Sequence, residues 1–202
     1  MNIHSSDMIH WLSEHIWKLV EKAKVNIFPS PLLGDFYQKR LKLTNVMYQP
    51  WASGAEEWNI YSPGTAERDD VYLYIGDLNV YKGVKNLIDY ARDHPDKKFK
   101  IYGRNIENVT FNLPNIMYFG WLPDPKVAET LAKAKYWIQL PAYVDPFPQM
   151  AIKAYLSGCE MVVNRNLGCF SYPEWNWEDP NDIKAQLKKY QETFWTRLNE
   201  FY

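Results

Sequence analysis

Five short apolar segments between residues 71 and 163 constrain the fold of this chain most strongly. The first, residues 71–75, reads Val-Tyr-Leu-Tyr-Ile and ends at Gly76. An unbroken apolar run of strand length is typical of a strand that is covered on both faces, as in a parallel sheet. The other four predicted strands occupy residues 99–102, 116–119, 136–140 and 160–163.

Helical patterns fill the gaps between these strands. In residues 82–93, Val84, Leu87, Ile88 and Ala91 fall at i, i+3, i+4 and i+7, which indicates one buried stripe. A helix is predicted to start at Asp124-Pro125, and another to span residues 149–156. Strands that alternate with helices predict βαβ units, so the fold class is α/β, a doubly wound parallel sheet of the Rossmann-like type.

The segments outside this core divide the chain into three parts. Residues 1–60 are predicted to hold a helix from Met8 to Val20, a short strand at 25–28 and a linker, because residues 45–70 look irregular. Residues 61–178 form the Rossmann-like domain. Residues 179–202 form one long helix that packs back on the domain, anchored by Trp175 and Trp177.

Composition narrows the classes of partner and compartment. The net charge of −1 over 202 residues gives no electrostatic reason to expect nucleic acid as a partner. No apolar run approaches the roughly 18 residues of a membrane span, so we expect no transmembrane segment. Two cysteines are too few for a disulfide framework and are interpreted as reduced packing residues of a cytoplasmic protein.

Two loops at strand ends carry the candidate ligand-binding residues, because a doubly wound sheet binds its ligand beyond the carboxyl ends of its strands. Residues 76–83 begin with Gly76 and place Lys82 where the next helix is expected to open, a position that favours an anion. Residues 141–158 include Asp145 and hold Lys153 on the expected ligand-facing side of a helix. The spacing of a dinucleotide-binding glycine motif is absent.

The order of these loops resembles the C-terminal, donor-binding domain of the family 4 retaining glycosyltransferases, which have the two-domain GT-B fold. In that family the first loop runs Gly-Arg-Leu, three variable residues, then Lys-Gly. The later loop runs Pro-Ser, two residues, then Glu, with a second Glu eight positions on. The resemblance covers roughly residues 48–168, and Gly76, Lys82 and Gly83 match the first motif.

The resemblance implies roles for individual residues. Lys82 would contact the diphosphate of a nucleotide sugar, and Asp145, which stands at the first Glu, would contact the donor sugar. These two are the predicted catalytic residues. No metal or cofactor is implied, since the nucleotide sugar is a substrate. The full predicted nucleotide-sugar-binding set is Gly76, Asp77, Lys82, Gly83, Gly103, Gly120, Trp121, Asp145, Phe147 and Lys153.

Three of these positions, and Pro148 beside them, leave a question open. Asp77 stands where the family has a phosphate-binding Arg, and Lys153 replaces the second Glu. Lys153 could return a positive charge to the cleft, or it could pair with Asp77. Pro148 replaces a Gly whose N–H faces the sugar, and proline has no N–H. Trp121 could border the base or serve as a packing residue.

The resemblance implies transfer of a hexose from a nucleotide sugar to a hydroxyl acceptor with retention. The alternative is a non-catalytic binding or scaffolding domain that kept the fold and lost the chemistry. A GT-B enzyme also needs an acceptor-side domain, which a second chain or self-association would supply. Aromatic residues before residue 60 indicate either a partner surface or a cover for the sheet edge: Trp11, Trp17, Trp51 and Trp58.

Overall fold

The N-terminal part of the chain contributes a small unit beside the main sheet. The structure, a computed structural model, describes residues 16–51 and 67–202. Helix α1 is described over residues 16–22, and most of the predicted Met8–Val20 helix lies outside the described residues. The elements that follow are β1 (Asn26–Phe28), α2 (Pro31–Leu41) and β2 (Val46–Tyr48). Strands β1 and β2 pair in parallel as a two-stranded sheet.

The structure of this unit differs in two ways from what the sequence predicted. Residues 46–48 were expected to be irregular, yet they form a strand in register with β1. Helix α2 was not expected at all. It packs so closely on β2 that a Cβ atom on the buried Gly34 would overlap the ring of Tyr48.

The main sheet has five strands, and its arrangement confirms the predicted fold class. The strands are β3 (Asp69–Ile75), β4 (Lys98–Tyr102), β5 (Ile116–Tyr118), β6 (Ala134–Gln139) and β7 (Glu160–Val163). All neighbours are parallel, in the order β5-β4-β3-β6-β7. Each predicted strand is present, with ends shifted by at most two residues.

Helices cover both faces of this sheet. They are α3 (Val84–Asp93), α4 (Asp124–Lys133), α5 (Gln149–Leu156) and α6 (Pro180–Glu192), and a short helix, α7 (Phe194–Asn199), follows α6. Along β3, Val71 and Leu73 pack in one core with residues of α4, α5 and α6, whereas Tyr72 and Tyr74 pack in the other with residues of α3. This two-sided burial explains the unbroken apolar run in β3.

The C-terminal segment differs from the expected single helix. It forms α6 and α7, which meet at Thr193, whose hydroxyl donates a hydrogen bond to the carbonyl oxygen of Lys189 at 2.7 Å. Ile183 and Leu187 of α6 are buried in the core with residues of α4 and α5. Arg197 of α7 donates to the carbonyl oxygen of Tyr48 in the N-terminal unit at 2.8 Å. Trp175 is buried in an aromatic cluster with Tyr190, which confirms its anchoring role.

The cysteines are packing residues, as expected. Cys159 and Cys169 are both free and buried. Burial raises the pKa of the Cys159 thiol to about 11. In the part of the chain that the structure describes, no helix is both long and apolar enough to cross a membrane.

Candidate functional site

A cleft of about 300 Å³ opens at the carboxyl ends of the parallel strands. It is lined by residues that follow β3, β4 and β5, by the end of β6, and by the start of α5. The chain leaves β3 toward β4 on one side and later returns to pair β6 on the other. The cleft therefore lies at the point where strand order reverses, which is where such sheets bind ligands.

An ion pair joins the two predicted catalytic residues. The Lys82 ammonium lies 2.6 Å from Oδ2 of Asp145, and the side chain of Asp145 is only 5% exposed, against 37% for Lys82. The amide of Gln139 donates to the same carboxylate oxygen at 2.8 Å. Lys82 and Gln139 both line the cleft. The structure thus brings together a lysine and a carboxylate that lie 63 residues apart in sequence.

Asp77 forms a second ion pair with Arg104. Arg104 donates to both carboxylate oxygens of Asp77, from Nε at 2.8 Å and from Nη2 at 2.7 Å. These hydrogen bonds hold the pKa of Asp77 below its usual value. Asp77 and Arg104 both line the cleft. Because the Arg104 guanidinium neutralises it, this carboxylate repels an anionic ligand less than an unpaired aspartate would.

Gly83 fixes the loop that carries Lys82. It caps α3 with a φ of 79°, and a Cβ atom there would overlap the carbonyl group of Leu140. Helix α3 begins at Val84, so the expectation that Lys82 opens this helix is wrong. Lys82 lies in the preceding turn, where its amide donates to Oδ1 of Asn79 at 2.9 Å.

The loops after β3, β4 and β5 meet at one edge of the cleft. The amide of Gly103 donates to the carbonyl oxygen of Gly120 at 2.8 Å, and a Cβ atom on Gly103 would overlap the carbonyl oxygen of Gly76. Trp121 lines the cleft and is 62% exposed, so it is not a buried packing residue.

Five predicted site residues are not among the described residues that line the cleft: Gly83, Gly120, Asp145, Phe147 and Lys153. Phe147 is buried, with its ring centroid 6.2 Å from those of both Tyr172 and Trp175. Lys153 is partly buried on α5, and it is not among the described residues that line the cleft. Helix α5 instead reaches the cleft with its N-terminal end, through Pro148, Gln149 and Met150.

Sequence reasoning missed four residues of the cleft with charged or amide side chains, namely Arg104, Asp124, Gln139 and Gln149. Arg104 directly follows Gly103 at the end of β4, and Gln139 is the last residue of β6. Both therefore stand at carboxyl ends of parallel strands, which is the signal that could have found them. Over residues 16–51 and 67–202, no group of three or more histidine, cysteine or acidic side chains is placed to hold a metal ion.

No family model and no curated protein matches the sequence. Solved structures do match. HepE from Anabaena, in complex with UDP-glucose, is 15% identical with a TM-score of 0.61, over 90% of this chain and 57% of that one. A glycosyltransferase from Rickettsia africae is 11% identical with a TM-score of 0.61, over 96% and 59%. The chain has the Rossmann-like half of a GT-B glycosyltransferase fold.

A third match agrees in extent with the other two. A variant of TarM from S. aureus, in complex with fondaparinux, α-GlcNAc-glycerol and UDP, is 12% identical with a TM-score of 0.64, over 100% of this chain and 48% of that one. The chain therefore spans about half the length of the structures that it matches. At these identities the likeness establishes the fold and not the activity.

Proposed function

We propose that this chain is the donor-binding part of a glycosyltransferase, which binds a nucleotide sugar and transfers a hexose to a hydroxyl acceptor with retention and without a metal ion. The observation that carries the proposal is the 2.6 Å pair between Lys82 and Asp145 at the cleft. It joins the two positions at which the sequence resembles the family's phosphate-contacting and sugar-contacting residues.

The chemistry assigns different work to the two members of this pair. As the bond between the anomeric carbon and the diphosphate breaks, charge develops on the departing oxygen, and the ammonium of Lys82 stabilises it. A new bond forms to the acceptor oxygen, whose proton leaves with the diphosphate. Asp145 is held by Lys82 and Gln139, so its carboxylate is fixed in place to accept hydrogen bonds from sugar hydroxyls.

Other groups along the cleft suit the rest of a nucleotide. The start of α5 at Gln149 supplies helical N–H groups and a positive dipole end, which favour a phosphate. Arg104 supplies a second cation on the opposite loop. Trp121 offers an exposed aromatic face at the cleft, where a base can stack. Phe147 and Lys153 have no part in this proposal.

The acceptor side of the reaction needs a second domain. We propose that a second chain or a second copy of this chain supplies it. Sedimentation equilibrium with and without nucleotide sugar checks this part of the proposal. A monomer that turns over donor and acceptor unaided would contradict it.

One observation favours a non-catalytic binding domain as a second candidate. The described cations at the cleft are Lys82 and Arg104, and both are already paired with carboxylates, Asp145 and Asp77. Asp124 adds a further negative charge to the lining. A dianionic diphosphate must therefore compete with carboxylates for its cations. If the diphosphate does not displace these carboxylates, the chain keeps the fold but does not bind the donor.

The deciding experiment is a thermal-shift screen against UDP-, GDP-, ADP- and TDP-sugars, followed by NMR of the product's anomeric proton. At 100 times its dissociation constant a ligand stabilises by about 2.7 kcal/mol. In a chain of this size that raises the melting temperature by about 5–10 °C. A shift with one nucleotide and a product of unchanged anomeric configuration support the transferase, whereas binding without turnover in the presence of the second chain supports the non-catalytic domain.

A further inference from the structure

Two exposed tyrosines lie together at the loops that carry Lys82 and Asp145. Tyr81 is 66% exposed and Tyr143 is 59% exposed, and their ring centroids are 5.5 Å apart with an angle of 47° between the rings. We call this pair the tyrosine platform. Val80 and Val144, which are also exposed, flank it in sequence.

The loop that carries Tyr81 is held by hydrogen bonds of the residues before and after it in sequence. The amide of Val80 donates to Oε1 of Glu107 at 2.9 Å, and the carbonyl oxygen of Val80 accepts from the amide of Gly83 at 3.1 Å. The amide of Lys82 is bound by Asn79. The backbone at Tyr81 is therefore fixed before any ligand arrives.

The loop under Tyr143 is fixed in the same way. The side chain of Asn166 donates to the carbonyl oxygen of Pro141 at 2.9 Å, and the carbonyl oxygen of Asn166 accepts from the amide of Asp145 at 2.8 Å. The side chain of Asn164 donates to Pro141 as well, at 3.0 Å. Pro141 and Asp145, which lie on either side of Tyr143, are thus both hydrogen-bonded to the segment after β7.

Contacts at neighbouring positions lock the two loops to each other. Tyr81 meets Tyr143, Lys82 binds Asp145, and Gly83 packs on the backbone of Leu140. The platform is consequently part of the same rigid unit as the ion pair. Since Tyr143 precedes Asp145 by two residues, their Cα atoms are at most about 7 Å apart.

We propose that the tyrosine platform is the part of the acceptor subsite that this chain contributes, where it holds a pyranose ring of a carbohydrate acceptor beside the donor sugar and against the acceptor-side domain. The inference rests on the proposed function. An acceptor hydroxyl must come within about 3–3.5 Å of the anomeric carbon to react. Its ring must therefore lie near the Lys82–Asp145 pair, and the platform is an exposed surface on the two loops that carry this pair.

The chemistry of the platform fits a sugar better than a protein. A pyranose presents an apolar C–H face and a rim of hydroxyls, and tyrosine offers an apolar ring with a polar hydroxyl at its tip. Tyrosine also loses little conformational entropy on binding. Four side chains are far fewer than the roughly 20–30 residues a side of a stable protein interface.

Saturation-transfer NMR with methyl glycosides of glucose, galactose, mannose and N-acetylglucosamine tests the subsite directly. The wild-type chain is compared with Tyr81→Ala, Tyr143→Ala and the matched control Tyr202→Ala, whose tyrosine is exposed at the C-terminus. We expect at least one glycoside to bind the wild type and the control. Its affinity should fall at least fivefold in each platform variant, with the circular dichroism spectrum unchanged.

Calorimetry with the nucleotide sugar on the same variants separates this proposal from the proposed function. Unchanged donor binding together with loss of glycoside binding supports the acceptor subsite. Glycoside binding without any donor binding supports the platform while the proposed function fails. Absence of glycoside binding to the wild type, or equal binding to all variants, overturns the platform. So does a dimer that Tyr81→Ala dissociates, because the surface would then be a self-association site.

Discussion

Arg104 donates one hydrogen bond to each carboxylate oxygen of Asp77, and this joins the loop after β4 to the loop after β3. The family that the sequence resembles has an arginine at the position of Asp77. Here the guanidinium comes from the next strand instead. The cleft therefore keeps a cation at this edge, but the loop after β4 supplies it instead of the loop after β3.

This pair predicts a dependence of stability on pH. Arg104 lowers the pKa of Asp77 in the folded protein below the unfolded value of about 3.9. The pair therefore stabilises the fold above that pH, and the stabilisation is lost as the pH falls through the lowered pKa of Asp77. We expect Arg104→Gln to reduce the free energy of unfolding by at most about 1 kcal/mol at pH 7, because the pair is largely exposed.

Urea denaturation of the wild type and Arg104→Gln between pH 2.5 and pH 7 measures this effect. The difference between the two proteins should be greatest at neutral pH and should shrink toward the acid end. A difference that grows as the pH falls would contradict the account. Asp77→Asn should behave like Arg104→Gln, since it removes the other member of the same pair.

Gly83→Ala should destabilise the protein strongly. The φ of 79° costs an L residue about 1–2 kcal/mol. The overlap with the backbone of Leu140 adds about 1–3 kcal/mol. Gly120→Ala is the matched control, because Gly120 has a φ of 72° but nothing within 4 Å of its Cβ position. Denaturation should show Gly83→Ala to be the more harmful substitution, and equal losses would refute the close approach of the two loops.

Tyr172→Phe tests how the N-terminal unit is held to the rest of the chain. The buried Tyr172 hydroxyl donates to the carbonyl oxygen of Pro29 at 2.8 Å. Its removal leaves that carbonyl without this partner, at a cost of about 1–3 kcal/mol. Tyr202→Phe alters an exposed tyrosine and should change stability by less than about 0.5 kcal/mol. Equal denaturation midpoints for both variants would show that the Pro29 contact does not stabilise the fold.

Strands of the main sheet could be predicted because each contains a short apolar run that is followed by a glycine, a proline or a polar residue. β2 could not, because Val46–Tyr48 is only three residues long and its pairing with β1 reaches across α2. Helix α2 carries a glycine at Gly34, which lowers helix propensity. Its place is set by packing against Tyr48, a contact that no local pattern reveals.

The candidate site could likewise be predicted only in part. Strand ends located the cleft, and Gly76, Asp77, Lys82, Gly103 and Trp121 all line it. The pairing of charges could not be predicted, since Arg104 lies 27 residues from Asp77. Phe147 was expected near the ligand, but its side chain is buried in the core.

Trp121→Ala should weaken nucleotide binding. Stacking of a base on an aromatic side chain is worth about 1–3 kcal/mol, which corresponds to roughly a five- to hundredfold change in affinity. Trp195→Ala, which removes an exposed tryptophan on α7, should leave the affinity unchanged. Calorimetric titration of both variants gives the comparison, and a wild-type affinity in Trp121→Ala would exclude base stacking at this residue.

The most direct test of the central claim is calorimetric titration of the wild type, Lys82→Ala and Lys85→Ala with the nucleotide sugar that gives the largest thermal shift. Lys85 is an exposed lysine on α3 that pairs with Asp89 and serves as the matched control. Loss of a hydrogen bond to a charged phosphate costs about 1.5–3 kcal/mol, so Lys82→Ala should bind at least tenfold more weakly than the wild type. Lys85→Ala should bind as the wild type does. Equal affinities for all three proteins, or no binding by the wild type, would contradict a donor site built on Lys82 and Asp145.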